Sequence, residues 1–321
     1  MNHRSVSVAA IVACALLPAA AAAQSVADAR WSMARTPWGE PDLQGIWTSA
    51  TLTPLERPRR LAEQSELTEE EVAAMERQTI ESRAASDGKS APGSVGGYNQ
   101  VWMDAGTAIT DSRRTSLIVD PTDGVIPWAP GAQDAYDREV ARYGVGPFDS
   151  WTDMDTGERC ITDGLPNMVP LQPYNMNLQV LQTPGEVVML HEMYHELRVI
   201  PIADRPLTGI AQWTGEARGR WEGDTLVVET ANFLRETSFL AGQTGADLHL
   251  VERFTRVSPQ TLMYEATVND SSVWTRPWTY QVPMQLNDQP LFEYACHEGN
   301  YGLYNILAGA RVAEAAAEAV R

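Results

Sequence analysis

Ser258-Pro259-Gln260-Thr261-Leu262-Met263-Tyr264-Glu265-Ala266-Thr267-Val268-Asn269 is a turn followed by one strand, and its reading decides the fold. Leu262, Tyr264, Ala266 and Val268 alternate with Met263, Glu265, Thr267 and Asn269, the period-2 pattern of a strand with one buried face. Ser258-Pro259-Gln260 joins it tightly to the apolar run Leu248–Val257, so the two predict an antiparallel hairpin. Working outward, Leu178–Gln182, Val187–Ile200, Thr225–Thr230 and Trp274–Met284 carry the same β signature. Glu222-Gly223-Asp224 is a further turn. Successive hairpins without helices between them predict a mainly β fold: an antiparallel sheet closed as a lipocalin-like barrel or left as a curled meander.

The rest of the chain surrounds this part. Residues 24–60 carry Trp31, Pro37, Trp38, Pro41, Trp47, Pro54 and Pro58, an ordered arm because exposed tryptophans are costly to leave unburied. Thr68-Glu69-Glu70-Glu71 is a capping box that opens a helix to about Ser82. Residues 85–98 read as a loop, Thr115–Val119 as a short strand, Asp120-Pro121-Thr122-Asp123-Gly124 as a turn, Gly131–Arg142 as a helix, and 144–176 as long loops. The Ala-rich segment Leu303–Val320 reads as a terminal helix. The organisation expected is a signal segment over 1–23, an arm with helices and loops over 24–176 packed on the barrel, the barrel-like domain over 177–302, and a helix over 303–321.

The first residues predict export. His3 and Arg4 precede the apolar run Val6–Leu17, and Ala21-Ala22-Ala23 offers a cleavage site before Gln24. The run is too short to span a bilayer. Ile11-Val12-Ala13-Cys14 is also readable as a lipoprotein box with Cys14 lipidated. No later segment is apolar and long enough to cross a membrane, so the expected address is the periplasm or the exterior. The formal net charge is −18, against nucleic acid and anionic lipid as partners, which need Lys and Arg clusters. Three cysteines occur. With Cys14 gone, Cys160 and Cys296 suit one disulfide in an oxidising compartment, two buried thiols being the alternative.

His191-Glu192-Met193-Tyr194-His195 matches H-E-x-x-H. On a helix both histidines would hold zinc, with Glu192 as general base. The flanks Val187-Val188-Met189-Leu190 and Val199-Ile200 are strand-like, and on a strand residues four apart sit about 13 Å apart, too far for one metal. The strand is the expected context, with no cofactor. His191, Met193, His195 and Leu197 then point one way, and Glu192, Glu196 and Arg198 the other. Such groups make either a solvated polar face or an acid–base set inside the barrel.

A second cluster is Glu293-Tyr294-Ala295-Cys296-His297-Glu298, where a disulfide at Cys296 would hold His297 and Glu298 rigidly. A third is Arg253 with Trp274, Arg276, Trp278 and Tyr280, the last four alternating onto one strand face. It reads as arginine stacked between aromatics, or as an aromatic pocket with one cation for an oxygen-bearing or anionic ligand. His249 reads as a surface or pairing residue. The chain has no phosphate-binding P-loop, dinucleotide glycine fingerprint or G-x-S-x-G elbow.

Several stretches together resemble a family of exported bacterial proteins: Thr36-Pro37-Trp38-Gly39 with Asp42-Leu43-Gln44-Gly45-Ile46-Trp47, Gly219-Arg220-Trp221-Glu222-Gly223-Asp224-Thr225-Leu226-Val227-Val228-Glu229-Thr230, Val251-Glu252-Arg253-Phe254-Thr255-Arg256, Thr275-Arg276-Pro277-Trp278 and Tyr294-Ala295-Cys296-His297-Glu298-Gly299-Asn300. The resemblance implies a secreted lipocalin-type barrel with N-terminal decoration. It also implies that Glu192, His195 and Arg198 are the kept members of their cluster while position 191 varies, which weighs against zinc.

Two functions compete. One is a metal-free barrel enzyme acting on a small, partly apolar, oxygenated molecule by elimination, hydration, isomerisation or cyclisation. His195 or His297 would be its acid–base, oriented by Glu192 or Glu298, with Arg198 or Arg276 stabilising negative charge. Glu192 and His195 would need a bulge or bend to meet. The other is a binding module that uses the same aromatic pocket and does no chemistry, its histidines being incidental. On either reading the candidate substrate or ligand contacts are Arg276, Trp274, Trp278, Tyr294, His191 and Arg253. A zinc hydrolase is the third reading. A small molecule is the expected partner.

Overall fold

A ten-stranded antiparallel sheet carries the computed structural model, which describes residues 31–87, 89, 103, 106–142, 145–166, 169, 174–236, 239, 244 and 247–319. The sheet lies within the compact unit that begins at Met33. The expected signal segment, with Cys14, lies outside the described residues. Among those residues no helix is long and apolar enough to cross a membrane.

In chain order the elements are β1 (Gly45–Thr48), α1 (Glu69–Ser86), β2 (Ile118–Asp120), α2 (Ala132–Arg142), β3 (Asn177–Thr183), β4 (Glu186–His191), β5 (Leu197–Pro201), β6 (Glu216–Glu222), β7 (Thr225–Ala231), β8 (His249–Ser258), β9 (Thr261–Asn269), β10 (Trp278–Asn287) and α3 (Gly302–Ala319). The ladder runs β5-β4-β3-β1-β10-β9-β8-β7-β6, and β2 pairs additionally with β10. The hairpin β8–β9 forms as its alternation predicts: Leu262, Tyr264, Ala266 and Val268 are buried and their neighbours half-buried. Thr68 caps α1, its hydroxyl accepting from the Glu71 N–H at 3.2 Å while the Glu71 carboxylate accepts from the Thr68 N–H at 2.7 Å.

The sheet is strongly curled. Arg198 on edge strand β5 hydrogen-bonds to Thr230 on β7 and Glu252 on β8, strands near the opposite end of the ladder. The ladder itself stays open. The edges β5 and β6 face each other through one isolated parallel bridge, Ile202 to Gly219, just past the end of β5. A Cβ on Gly219 would sit 2.6 Å from Ile202 Cδ1 and 3.0 Å from Ile200 Cγ2, so glycine there lets the two edges approach. The core is the concave inner face, where Trp47, Val228, Phe254, Tyr264, Trp278 and Tyr280 are buried, while none of the three helices buries a residue.

Three expectations change. The segment 187–200 is two strands, not one: β4 ends at His191, a short 3-10 turn spans Met193–His195, and β5 begins at Leu197. Tyr194 and His195 take left-handed φ of 57° and 50°, a conformation uncommon outside glycine and unusual for a residue as bulky as tyrosine. The boundary expected at 176–177 is crossed by the sheet, because β1 lies between β3 and β10. Residues 216–222, not marked as a strand by their sequence, form edge strand β6.

Candidate functional site

The turn after β4 decides where the H-E-x-x-H residues go. The His191 N–H donates to the Glu196 carbonyl at 2.9 Å, and the Glu192 N–H to the Asn177 carbonyl at 2.9 Å. This reversal leaves His191, Glu192 and Arg198 buried and His195 exposed. The expected faces are therefore corrected: His191 and His195 part, and Glu192 goes inward beside His191. The turn is not an α-helix, so the two imidazoles do not share a zinc-holding face. Among the described residues no group of three His, Cys, Asp or Glu side chains is placed to hold a metal.

Glu192 is a structural acceptor. Its Oε2 takes the Asn177 Nδ2–H at 2.6 Å, and its Oε1 takes the Phe292 backbone N–H at 2.6 Å. The exposed His195 Nε2 takes the Tyr294 backbone N–H at 3.1 Å. Tyr294 also packs on Tyr194, ring centroids 4.7 Å apart. Glu192, Tyr194 and His195 thus clasp the segment 292–294, and the turn at 192–195 brings Glu192 and His195 together on it. The disulfide Cys160–Cys296 fastens the same segment, as the two-cysteine reading expects. His297 and Glu298 are held near it but are exposed on a loop.

Inside the curl a continuous strip of side chains runs along the inner face. Trp274 meets Trp278 edge to face at 5.6 Å, Trp278 meets Tyr280 at 5.8 Å, and Tyr280 meets Tyr264 at 5.9 Å. The Tyr264 hydroxyl donates to Glu252 Oε1 at 3.1 Å. Arg198 holds Glu252 with two bonds, 2.6 and 3.1 Å, and donates to Thr230 Oγ1 at 3.3 Å. Burial opposes the charge on Arg198, but Glu252 outweighs it and raises the guanidinium pKa. Burial, then Tyr280 and Glu252, push the Tyr264 hydroxyl well up. At the far end His191 feels burial first and Arg198 second, which lower its pKa to about 3 and keep it neutral.

Both ends of the strip carry buried polar atoms without a hydrogen-bond partner: Trp274 Nε1, Trp278 Nε1 and His191 Nε2. An unpaired buried polar group costs about 1–3 kcal/mol, so three on one strip need a reason.

The third predicted cluster splits. Trp274, Trp278 and Tyr280 are buried, but Arg276 is exposed and ion-paired with Asp120. The strand starts only at Trp278, so position 276 lies before the alternation begins. Arg253 is on the outer face, 2.9 Å from Glu222. Neither gives the inner face a cation. His249 pairs with Glu229 at 2.8 Å. Glu252 was overlooked, though the signal existed: it falls between Leu250 and Phe254 on the apolar parity of β8.

A second polar niche lies beside the disulfide. A Cβ on Gly157 would sit 2.9 Å from the Tyr194 hydroxyl, 3.0 Å from Asp155 Oδ1 and 3.6 Å from Asp163 Oδ1, so glycine leaves room between three oxygens. Burial, then Asp155, raise Asp163 to about 7. Burial, then Tyr294, push the Tyr194 hydroxyl up.

No family model, curated protein or solved structure matches the chain.

Proposed function

We propose that this is an exported binding protein whose curled sheet works as a lipocalin-type barrel, taking one small, partly apolar, oxygen-bearing molecule against the strip between Trp278 and His191. The observation that carries this reading is the buried, unpartnered His191 Nε2 on an imidazole kept neutral. A neutral imidazole facing an aromatic strip recognises an uncharged polar group without bringing a charge inside. Glu192 has one oxygen engaged by Asn177 and the other by the Phe292 N–H, and Arg198 gives two of its donors to Glu252, which favours binding over the His/Glu acid–base chemistry expected from the sequence. The export reading is supported by the disulfide.

The test is titration of the purified protein with N-phenyl-1-naphthylamine, a neutral apolar fluorophore, read by energy transfer from tryptophan. Saturable one-to-one uptake is expected. Uptake that never saturates means surface adsorption and overturns the reading, as does no uptake.

A second reading rests on Asp163, whose pKa of about 7 beside Tyr194 and Asp155 suits proton transfer near neutrality. Turnover of a bound compound that is lost in Asp163→Asn would replace pure binding with an acid–base enzyme at the rim.

A further inference from the structure

The proposed ligand has a definable polar group, and the tryptophan end of the strip defines it. Trp278 opens β10 on the inner face, and Trp274 lies four residues earlier, bridged to Trp128. Both are almost fully buried. Their rings stand at 80° to each other, and Phe239 stacks on Trp278 at 6.4 Å and meets Trp274 edge-on at 6.0 Å. The three rings make an apolar corner with flat walls. The two indole N–H groups of this corner are buried without acceptors. An indole nitrogen donates and never accepts, so the tryptophans cannot satisfy each other's N–H with a nitrogen lone pair.

The charge of the acceptor is set by its surroundings. Arg198 is the one buried Lys or Arg among the described residues, and Glu252 already holds it in a bidentate pair. Arg276 and Arg253 lie outside. A carboxylate buried at the indoles would have no counter-charge, and an unpaired buried charge is far costlier than an unpaired dipole. We infer that Trp274 and Trp278 form a donor subsite for an uncharged carbonyl-type oxygen (ketone, ester, lactone or quinone) on a planar unsaturated body that packs in the Trp274–Trp278–Phe239 corner. This rests on the binding reading above and sharpens it by ligand class.

Three probes share one ring and differ in the polar group: acetophenone, benzoate and ethylbenzene. Acetophenone is expected to bind the intact protein tightest. W274F and W278F keep an aromatic ring and delete the donor. Each is expected to weaken acetophenone about 5- to 10-fold more than it weakens ethylbenzene, the worth of one hydrogen bond. A second measurement needs no variant to fold well: in the 15N-labelled wild type, the two buried indole N–H resonances are expected to move downfield with acetophenone and not with ethylbenzene. Equal losses for both probes, benzoate binding as well as acetophenone, or indole resonances that ignore acetophenone overturn the subsite while the binding reading stands. Failure of all three probes to bind the wild type overturns both.

Discussion

Arg198 and Glu252 sit on strands near opposite ends of the ladder and meet in a buried bidentate pair, 2.6 and 3.1 Å. The pair joins β5 to β8 where backbone pairing between the edges is reduced to one bridge. Removing one partner leaves a charge uncompensated in the interior. Glu252→Ala is expected to cost about 3–5 kcal/mol, and Arg198→Met with Glu252→Leu together clearly less than either alone. Urea unfolding of the single and double variants measures this. Losses that simply add would mean the pair is no more than two separate polar groups.

His191 sets an acid limit on stability. Its folded pKa, about 3, lies below its ordinary 6.5, so the unfolded chain takes up the proton first. The contribution is full above pH 6.5 and is lost as pH falls toward 3, by about 1.4 kcal/mol at pH 5.5. Asp163 acts in the opposite sense: raised from 3.8 to about 7, it weakens the fold as pH rises between those values. The two slopes overlap, so the comparison must be between wild type and His191→Gln. The variant is expected to lose less stability between pH 7 and 5. Parallel curves would show that His191 titrates as an ordinary surface imidazole.

Alternation was the legible part of this chain. β9 keeps its expected limits, Thr261–Asn269, because four apolar residues at period 2 and a Pro-containing turn leave one register. The helix cap at Thr68 was legible for the same reason, a short-range pattern with its own chemistry. The break at Met193–His195 was not. Tyr194 and His195 adopt left-handed backbone without a Gly, Asn or Asp to announce it, and the clasp that rewards this comes from residues about a hundred positions later. β6 stayed hidden because Arg218 and Arg220 and Glu216 interrupt its pattern and Gly219 weakens it, while the approach of Ile200 and Ile202 that needs that glycine is tertiary. The candidate site was half visible: Trp274, Trp278, Arg198 and His191 were named, but the strip linking them depends on curl, which no local pattern encodes.

Glu192 is expected to act on the 292–294 segment and not on a ligand. Glu192→Gln keeps the shape but turns one acceptor into an amide donor, which then opposes either the Asn177 amide or the Phe292 N–H. A loss of about 1–3 kcal/mol is expected, concentrated in local opening. Hydrogen exchange at the amides of Phe292 and Tyr294 should speed up while β9 amides hold their protection. Uniform change across the sheet would place Glu192 in the global core instead.

The disulfide should matter most for the chain on its C-terminal side. Cys160 and Cys296 are 136 residues apart, and closing a loop of that length restricts the unfolded chain by about 5 kcal/mol in the chain-entropy picture. That sum is spread over the whole fold. Locally, α3 buries none of its residues, and the chain just after Cys296 is held by the S–S bond and by the Asn300 side chain on Cys160 Sγ at 3.2 Å. Reduction under native conditions should therefore free α3 before the sheet fails, since the ladder from β3 through β10 has its own pairing. Limited proteolysis with and without reductant checks the order. Early cuts within 288–319 and a protected sheet are expected. Cuts within β8–β10 at the same rate would mean that the disulfide holds the sheet itself together.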